Sequence, residues 1–263
     1  MLSVTNDQLN AWIALYAYPT IRILALLVIA PVFNNVALPR HLRLVIGLAI
    51  SVAIAPALPV SPEAIAPGSA ISFIGILREM LIGFAIGFAI RLVFVAIDLA
   101  GDLIGLQMGL SFAVFFDPQA AGQTTVLAQF LGLFATLTFL ALDGHLLTIN
   151  VLAHSFEWLP AGEAKMSASA FMVIVKSAAA IFSSGLLIAL PAVSALLVTN
   201  IALGVLTRAA PALNLFSLGF PITLAVGTFA LMFSLPMFAP AFQSLYERAF
   251  EAVGLFLRLA AHG

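Results

Sequence analysis

Four histidines, His41, His145, His154 and His262, are the residues of this chain best suited to proton transfer or metal binding near neutral pH. Asp143, His145, His154 and Glu157 could together supply the nitrogen and oxygen donors of a metal centre. Their spacing does not fit one, because a zinc-binding helix sets two histidines four positions apart and no such pair occurs. The chain has no cysteine, which removes disulfides, thiolate metal sites and thiol nucleophiles together. No G-x-S-x-G, phosphate-binding loop or G-x-G-x-x-G occurs either. The histidines read as structural groups at helix–water borders. No catalytic residue, cofactor or metal is expected, and the chain reads as a non-enzyme.

The more telling chemistry is charge placed where charge is costly. Arg22, Arg78, Glu79, Arg91, Asp98, Asp102, Lys176 and Arg208 interrupt or border long apolar runs. A charge at the centre of a bilayer costs about 2.5–3.5 kcal/mol on insertion scales, so such residues face protein or water, or snorkel at helix ends. Arg78 and Glu79 are adjacent and project in different directions on a helix, so each is expected to pair with another element. The whole set is read as subunit-contact or pore-facing charge, with snorkelling as the plain alternative.

Residues 97–122, IDLAGDLIGLQMGLSFAVFFDPQAAG, concentrate the strongest local signals. Asp98 and Asp102 are four apart and share a helix face. Gly101, Gly105 and Gly109 repeat at the same interval on a neighbouring face, and Gly83 and Gly87 form a second pair; such spacing lets another backbone approach closely. The helical signal then stops, since Asp117 precedes Pro118 and resists the helical region. A packed helix thus leads into a segment carrying Met108, Ser111, Phe112, Phe115, Phe116, Asp117 and Pro118. From the residues alone this is either a re-entrant turn with core aromatics or an apolar constriction that closes a pore.

The elements that must position these residues are membrane helices. The chain is 63% hydrophobic and 8% charged, with a mean hydropathy of +1.18, where soluble domains carry about 25% charged residues. Six apolar segments, Leu9–Val32, Leu42–Val60, Ile71–Ile97, Thr124–Leu142, Ala168–Leu203 and Leu213–Ala239, are each expected to be long enough to cross a hydrocarbon core, which needs roughly 20 helical residues. They lack the alternation of barrel strands, so the expected fold is an all-α membrane protein of about six long apolar helices. Between the segments no interruption is long enough for a second core, and residues 1–263 read as one domain. Pro191, Pro221, Pro236 and Pro240 are expected to kink or end the last two spans. A formal net charge of −1 leaves no basic surface for nucleic acid. The first basic residue is Arg22, inside an apolar run, so a cleavable signal is not expected. Arg40, His41 and Arg43 put the first loop in the cytoplasm, yet Lys165, Lys176, Arg248 and Arg258 then violate the same charge rule.

Three stretches together carry a resemblance. QLNAWIALYAYPTIRILALLVIAPVFNNVALPRHLRLVIGLAISVAIAP at 8–56, MGLSFAVFFDP at 108–118 and VLAQFLGLFATLTFLALDGHLLTI at 126–149 resemble the FliR family of flagellar export-gate proteins, called SctT in virulence type III secretion. The resemblance runs along nearly the whole chain. It implies a core subunit of the flagellar type III export gate in the bacterial inner membrane, multi-pass, at the flagellar basal body. It implies partners: FliP-like and FliQ-like subunits that build the channel with it, FlhB-like and FlhA-like components, and the exported flagellar proteins, in contact with the lipid bilayer. It also implies a FliP-like part at 1–169, a FliQ-like helical hairpin at 170–252 turning near Arg208-Ala-Ala-Pro211, and a tail at 253–263. The family's central loop, a plug in the closed channel, maps onto Leu106–Gly122. The alternatives are a virulence injectisome homologue and a small-solute or ion transporter coupled through Asp98 and Asp102.

Overall fold

The computed structural model describes residues 6–34, 38–58, 70–110, 125–161, 167–210 and 218–261. Among them are seven α-helices and no β-strand: α1 Asn6–Ile29, α2 Arg40–Ile54, α3 Ala70–Gln107, α4 Val126–Ala141, α5 Gly144–Trp158, α6 Phe171–Ala209 and α7 Phe220–Ala261. The all-α expectation holds at that level. The span count differs from a simple six. Three helices, α3, α6 and α7, are long and apolar enough to cross a membrane, and α4 with α5 would make a fourth if taken as one interrupted span.

Local chemistry explains the difference. At 15 residues α2 is about 22 Å long, short of the roughly 30 Å hydrocarbon core. Its apolar run continues to Val60 in sequence, but Pro56 falls in a 3₁₀ turn, Ala55–Ala57, that follows it. The run ending at Leu142 stops because Asp143 adopts left-handed dihedrals (φ 54°) before α5 begins. By contrast α3, α6 and α7 have 38, 39 and 42 residues, about 57–63 Å of helix. Pro191 lies within α6, and Pro236 and Pro240 within α7, without ending either; membrane helices tolerate proline where neighbouring groups re-satisfy the backbone. α7 runs on through residues 253–261, where Val253, Phe256, Leu257 and Ala260 recur at helical spacing and are buried. Hydroxyls inside the apolar helices are satisfied internally. Thr136, Thr199, Thr228 and Ser234 each donate to the carbonyl four residues back, at 2.8–2.9 Å.

The described residues group into two compact units that interleave along the chain. One draws on 1–92, 143–178 and 247–263, the other on 93–142 and 179–246. In the first unit, Ile23, Leu26 and Leu27 of α1 and Ile82, Ile86 and Ile90 of α3 are fully buried, and Phe171 meets Phe256 edge-on at 5.3 Å. α1 and α3 touch backbone to backbone there. A Cβ on Gly83 would run into the Arg22 carbonyl and come within 2.8 Å of Ala25 Cβ, and one on Gly87 would lie 3.0 Å from the Leu26 oxygen. In the second unit, Ala100, Ile104 and Met108 of α3 pack with Leu127 of α4 and with Ala189, Ala192 and Leu196 of α6. Phe94, Phe139 and Tyr246 form an aromatic triangle with centroids 5.1–5.9 Å apart, and the Tyr246 hydroxyl donates to Ala135 O at 2.9 Å. Over an apolar stretch of 18 residues in each long helix, 61% of α3 is buried but only 22% of α6 and of α7. Of the three long helices, α3 is the most buried.

Candidate functional site

The second unit frames the phenylalanine-rich segment at both of its ends. At the entry, α3 terminates in a Schellman motif. Gly109 takes φ 82°, its N–H donates to Leu106 O at 3.1 Å, and Leu110 N–H reaches back to Gly105 O at 3.0 Å. Gly109 therefore ends the helix. Met108, one residue earlier, is 4% exposed and lies over α7: a Cβ on Gly227 would come within 2.8 Å of its sulfur. Thr223 donates its hydroxyl to Met108 O at 3.3 Å.

At the exit, Thr125 caps α4. Its hydroxyl accepts from Ala128 N–H at 3.1 Å and donates to Asp102 Oδ1 at 3.0 Å, and its N–H donates to the same oxygen at 3.2 Å. Asp102 thus places a carboxylate at the N-terminal end of α4, the end where the peptide dipoles favour negative charge. Gly105 and Gly101 make room for that contact. A Cβ on Gly105 would meet Thr125 Oγ1 at 3.1 Å, and one on Gly101 would collide with the Ala128 backbone. Asp98, one turn earlier on the same face, lies against α4, where a Cβ on Gly132 would come within 3.0 Å of Asp98 Oδ1. Ser111, Phe112, Phe115, Phe116, Asp117 and Pro118 lie outside the described residues.

Three of the charges singled out in the sequence, Arg22, Arg78 and Glu79, are buried in the first unit. Arg22 is fully buried and forks onto Glu79: its Nε donates to Oε2 at 2.6 Å and its Nη2 to Oε1 at 3.1 Å. The remaining donors go to Ser155 Oγ at 2.9 Å and Leu159 O at 2.8 Å, and the guanidinium stacks on Phe156 at 3.9 Å. Arg78, 2% exposed, donates to Pro160 O at 3.1 Å. The adjacent Arg78 and Glu79 do turn to different elements, as their neighbouring helix positions require. Arg91, Lys176 and Arg208 are exposed, and Asp98 and Asp102 half-buried.

Several participants have no visible role in the sequence. Ser155, Phe156 and the Leu159 carbonyl complete the Arg22 cradle from a distant part of the chain, and no local pattern announces them. Gly185, whose Cβ would strike Ala96 O, and Gly227 belong to no repeat. Thr125 had a signal, a hydroxyl residue directly before an apolar run. Among the described residues no three His, Asp or Glu side chains converge as a metal site; His154 Nδ1 lies 3.0 Å from Glu157 Oε2 in an exposed pair.

Comparison with known proteins gives this framework its relatives. Residues 13–249 match the family model for bacterial export proteins, family 1. The flagellar biosynthetic protein FliR of Escherichia coli (strain K12) is 39% identical over 254 residues, covering 95% of both chains. The FliR of Pectobacterium carotovorum subsp. carotovorum is 40% identical over 251 residues, again 95% of both. That of Aquifex aeolicus (strain VF5) is 30% identical over 238 residues, 90% of this chain and 91% of its own. The chain belongs to the FliR family of bacterial export proteins.

Proposed function

We propose that this chain is a non-enzymatic core subunit of the flagellar type III protein export gate in the bacterial inner membrane. It assembles with FliP-like and FliQ-like subunits into the channel that unfolded flagellar proteins enter, next to FlhB-like and FlhA-like components. The observation that carries this reading is the family match over residues 13–249 in a chain with three long apolar helices. The relatives named above are flagellar proteins, which favours flagellar export over a virulence injectisome. A transporter coupled through Asp98 and Asp102 fits less well, because Asp102 is occupied in capping α4.

In this reading residues 1–169 are the FliP-like part and 170–252 the FliQ-like hairpin. Helices of about 57–63 Å exceed the hydrocarbon core by nearly twofold, which suits an assembly standing partly outside the bilayer plane. It also suits the irregular distribution of Lys and Arg. Leu106–Gly122 acts as the plug, with Phe112, Phe115 and Phe116 as its apolar seal. A plug needs fixed roots and a segment that moves between them, and the frame at Met108, Gly109 and Thr125 would supply the roots. Exposed apolar side chains on α6 and α7, such as Phe182, Val198, Phe233 and Met237, suit partner subunits and lipid.

The test is purification from membranes through a tag on this chain, with and without co-expressed FliP-like and FliQ-like subunits. The expected result is co-purification of both in unequal ratio and restored motility in a strain lacking its own FliR. A protein that stays alone in mild detergent and binds a small solute would refute the reading.

A further inference from the structure

The first unit contains a cleft of about 720 Å³ between the end of α1 and the start of α2. Its lining combines hydrocarbon, from Leu24 and Val28 of α1 and Leu44 of α2, with the polar groups of Asn34, Arg40 and Arg43. Val28 and Leu44 are 47% and 51% exposed. Among the described residues neither arginine makes an ion pair, and Arg43 Nε is shielded from solvent with no hydrogen-bond partner. The start of α2 is also electrostatically wrong for a helix on its own. Its first turn holds Arg40, His41 and Arg43 with no acidic residue, and Pro39 offers no capping side chain. Peptide dipoles make that end positive already, so basic groups there repel it and an anion relieves both.

We propose that this cleft binds an anionic phospholipid, the arginines holding its phosphate and the leucine–valine lining its first methylenes. Guanidinium groups match phosphate oxygens in a two-point fork. A bare inorganic anion would satisfy the arginines but leave the apolar lining wet and most of the volume unused. An acyl chain covers that lining, and basic pockets beside membrane helices are the usual seats of anionic headgroups. The proposal does not depend on the export reading.

Native mass spectrometry of the protein, purified from membranes with its co-purifying subunits, tests it. Phosphatidylglycerol or phosphatidylcholine is added as the probe. The expected result is a retained phosphatidylglycerol on the unaltered chain, no comparable phosphatidylcholine, and about thirtyfold less retention in Arg40→Gln/Arg43→Gln, the size two basic contacts to a phosphate should have. Arg258→Gln should retain the lipid as the unaltered chain does. Equal retention by the double variant, or equal retention of phosphatidylcholine, would overturn the proposal. So would displacement by millimolar inorganic phosphate, which would make this a free-anion site, or by poly-glutamate, which would assign it to an acidic protein segment. Because the double variant could misfold, a photoreactive phosphatidylglycerol is also applied to the unaltered protein. Labelling within residues 24–44 supports the cleft, and labelling only elsewhere overturns it.

Discussion

Glu79 and Asp102 are both carboxylates of α3, and the two units treat them differently. Glu79 is sealed inside the first unit, spanned by the Arg22 fork, with Ser155 and Phe156 closing the cradle around the arginine. Asp102 is half-buried in the second unit, makes no ion pair among the described residues, and takes two hydrogen bonds from a single threonine at a helix start. The first arrangement ties α1, α3 and α5 by compensated charge. The second joins the end region of α3 to the start of α4. Within one helix, one carboxylate compensates a buried guanidinium and the other helps cap a neighbouring helix.

Breaking the buried ion pair should have the largest effect. Glu79→Ala leaves Arg22 buried without its counter-charge, a loss of about 3–5 kcal/mol. The protein should fail to accumulate in membranes, by immunoblot of the membrane fraction. Replacing both partners, Arg22→Met with Glu79→Leu, should recover much of the level, because paired apolar substitutions avoid the stranded charge. Failure of the double change to recover would mean that the Arg22 bonds to Ser155 and Leu159 matter more than the pair itself.

Close backbone packing ranks second. Gly101→Leu drives a side chain into the Ala128 backbone, which cannot yield as a side-chain tip would. Overpacking of this kind costs about 1–3 kcal/mol, and it should separate α3 from α4 and reduce co-purification of partner subunits. Gly227→Ala meets only the flexible end of Met108 and should be milder. Equal damage from both would mean that Met108 is held as firmly as backbone.

Thr125→Ala should have the smallest effect on folding, about 1 kcal/mol for a lost cap. It sharpens the comparison, because it loosens one root of the segment while leaving the first unit intact. Membrane levels should stay near normal while ion leakage rises. A drop in level without leakage would make Thr125 a folding residue only.

Much of this was legible in the sequence, for physical reasons that can be named. Membrane helices were readable because lipid forces each apolar run to close its own hydrogen bonds. Gly83 and Gly101 stood out because close approach demands a missing side chain at helical spacing. Gly109 fitted the same interval yet ends the helix, because left-handed geometry also requires glycine and a repeat cannot tell the two uses apart. Arg22 and Glu79 were visible as costly charges, but not as each other's partner, since the distance between them in sequence carries no pairing signal. Among the described residues, Pro56 and Asp143 interrupt helices that hydropathy alone would continue.

The most direct test of the gate is permeability. Cells expressing the complex with Gly109–Ala120 deleted, or with Phe112, Phe115 and Phe116 replaced by serine, are assayed for ion and small-molecule entry alongside export of a filament protein. An apolar seal excludes water and with it ions, so these cells should leak while still exporting at least in part. Unchanged permeability in complexes that fail to assemble would contradict the account and make the segment a structural staple.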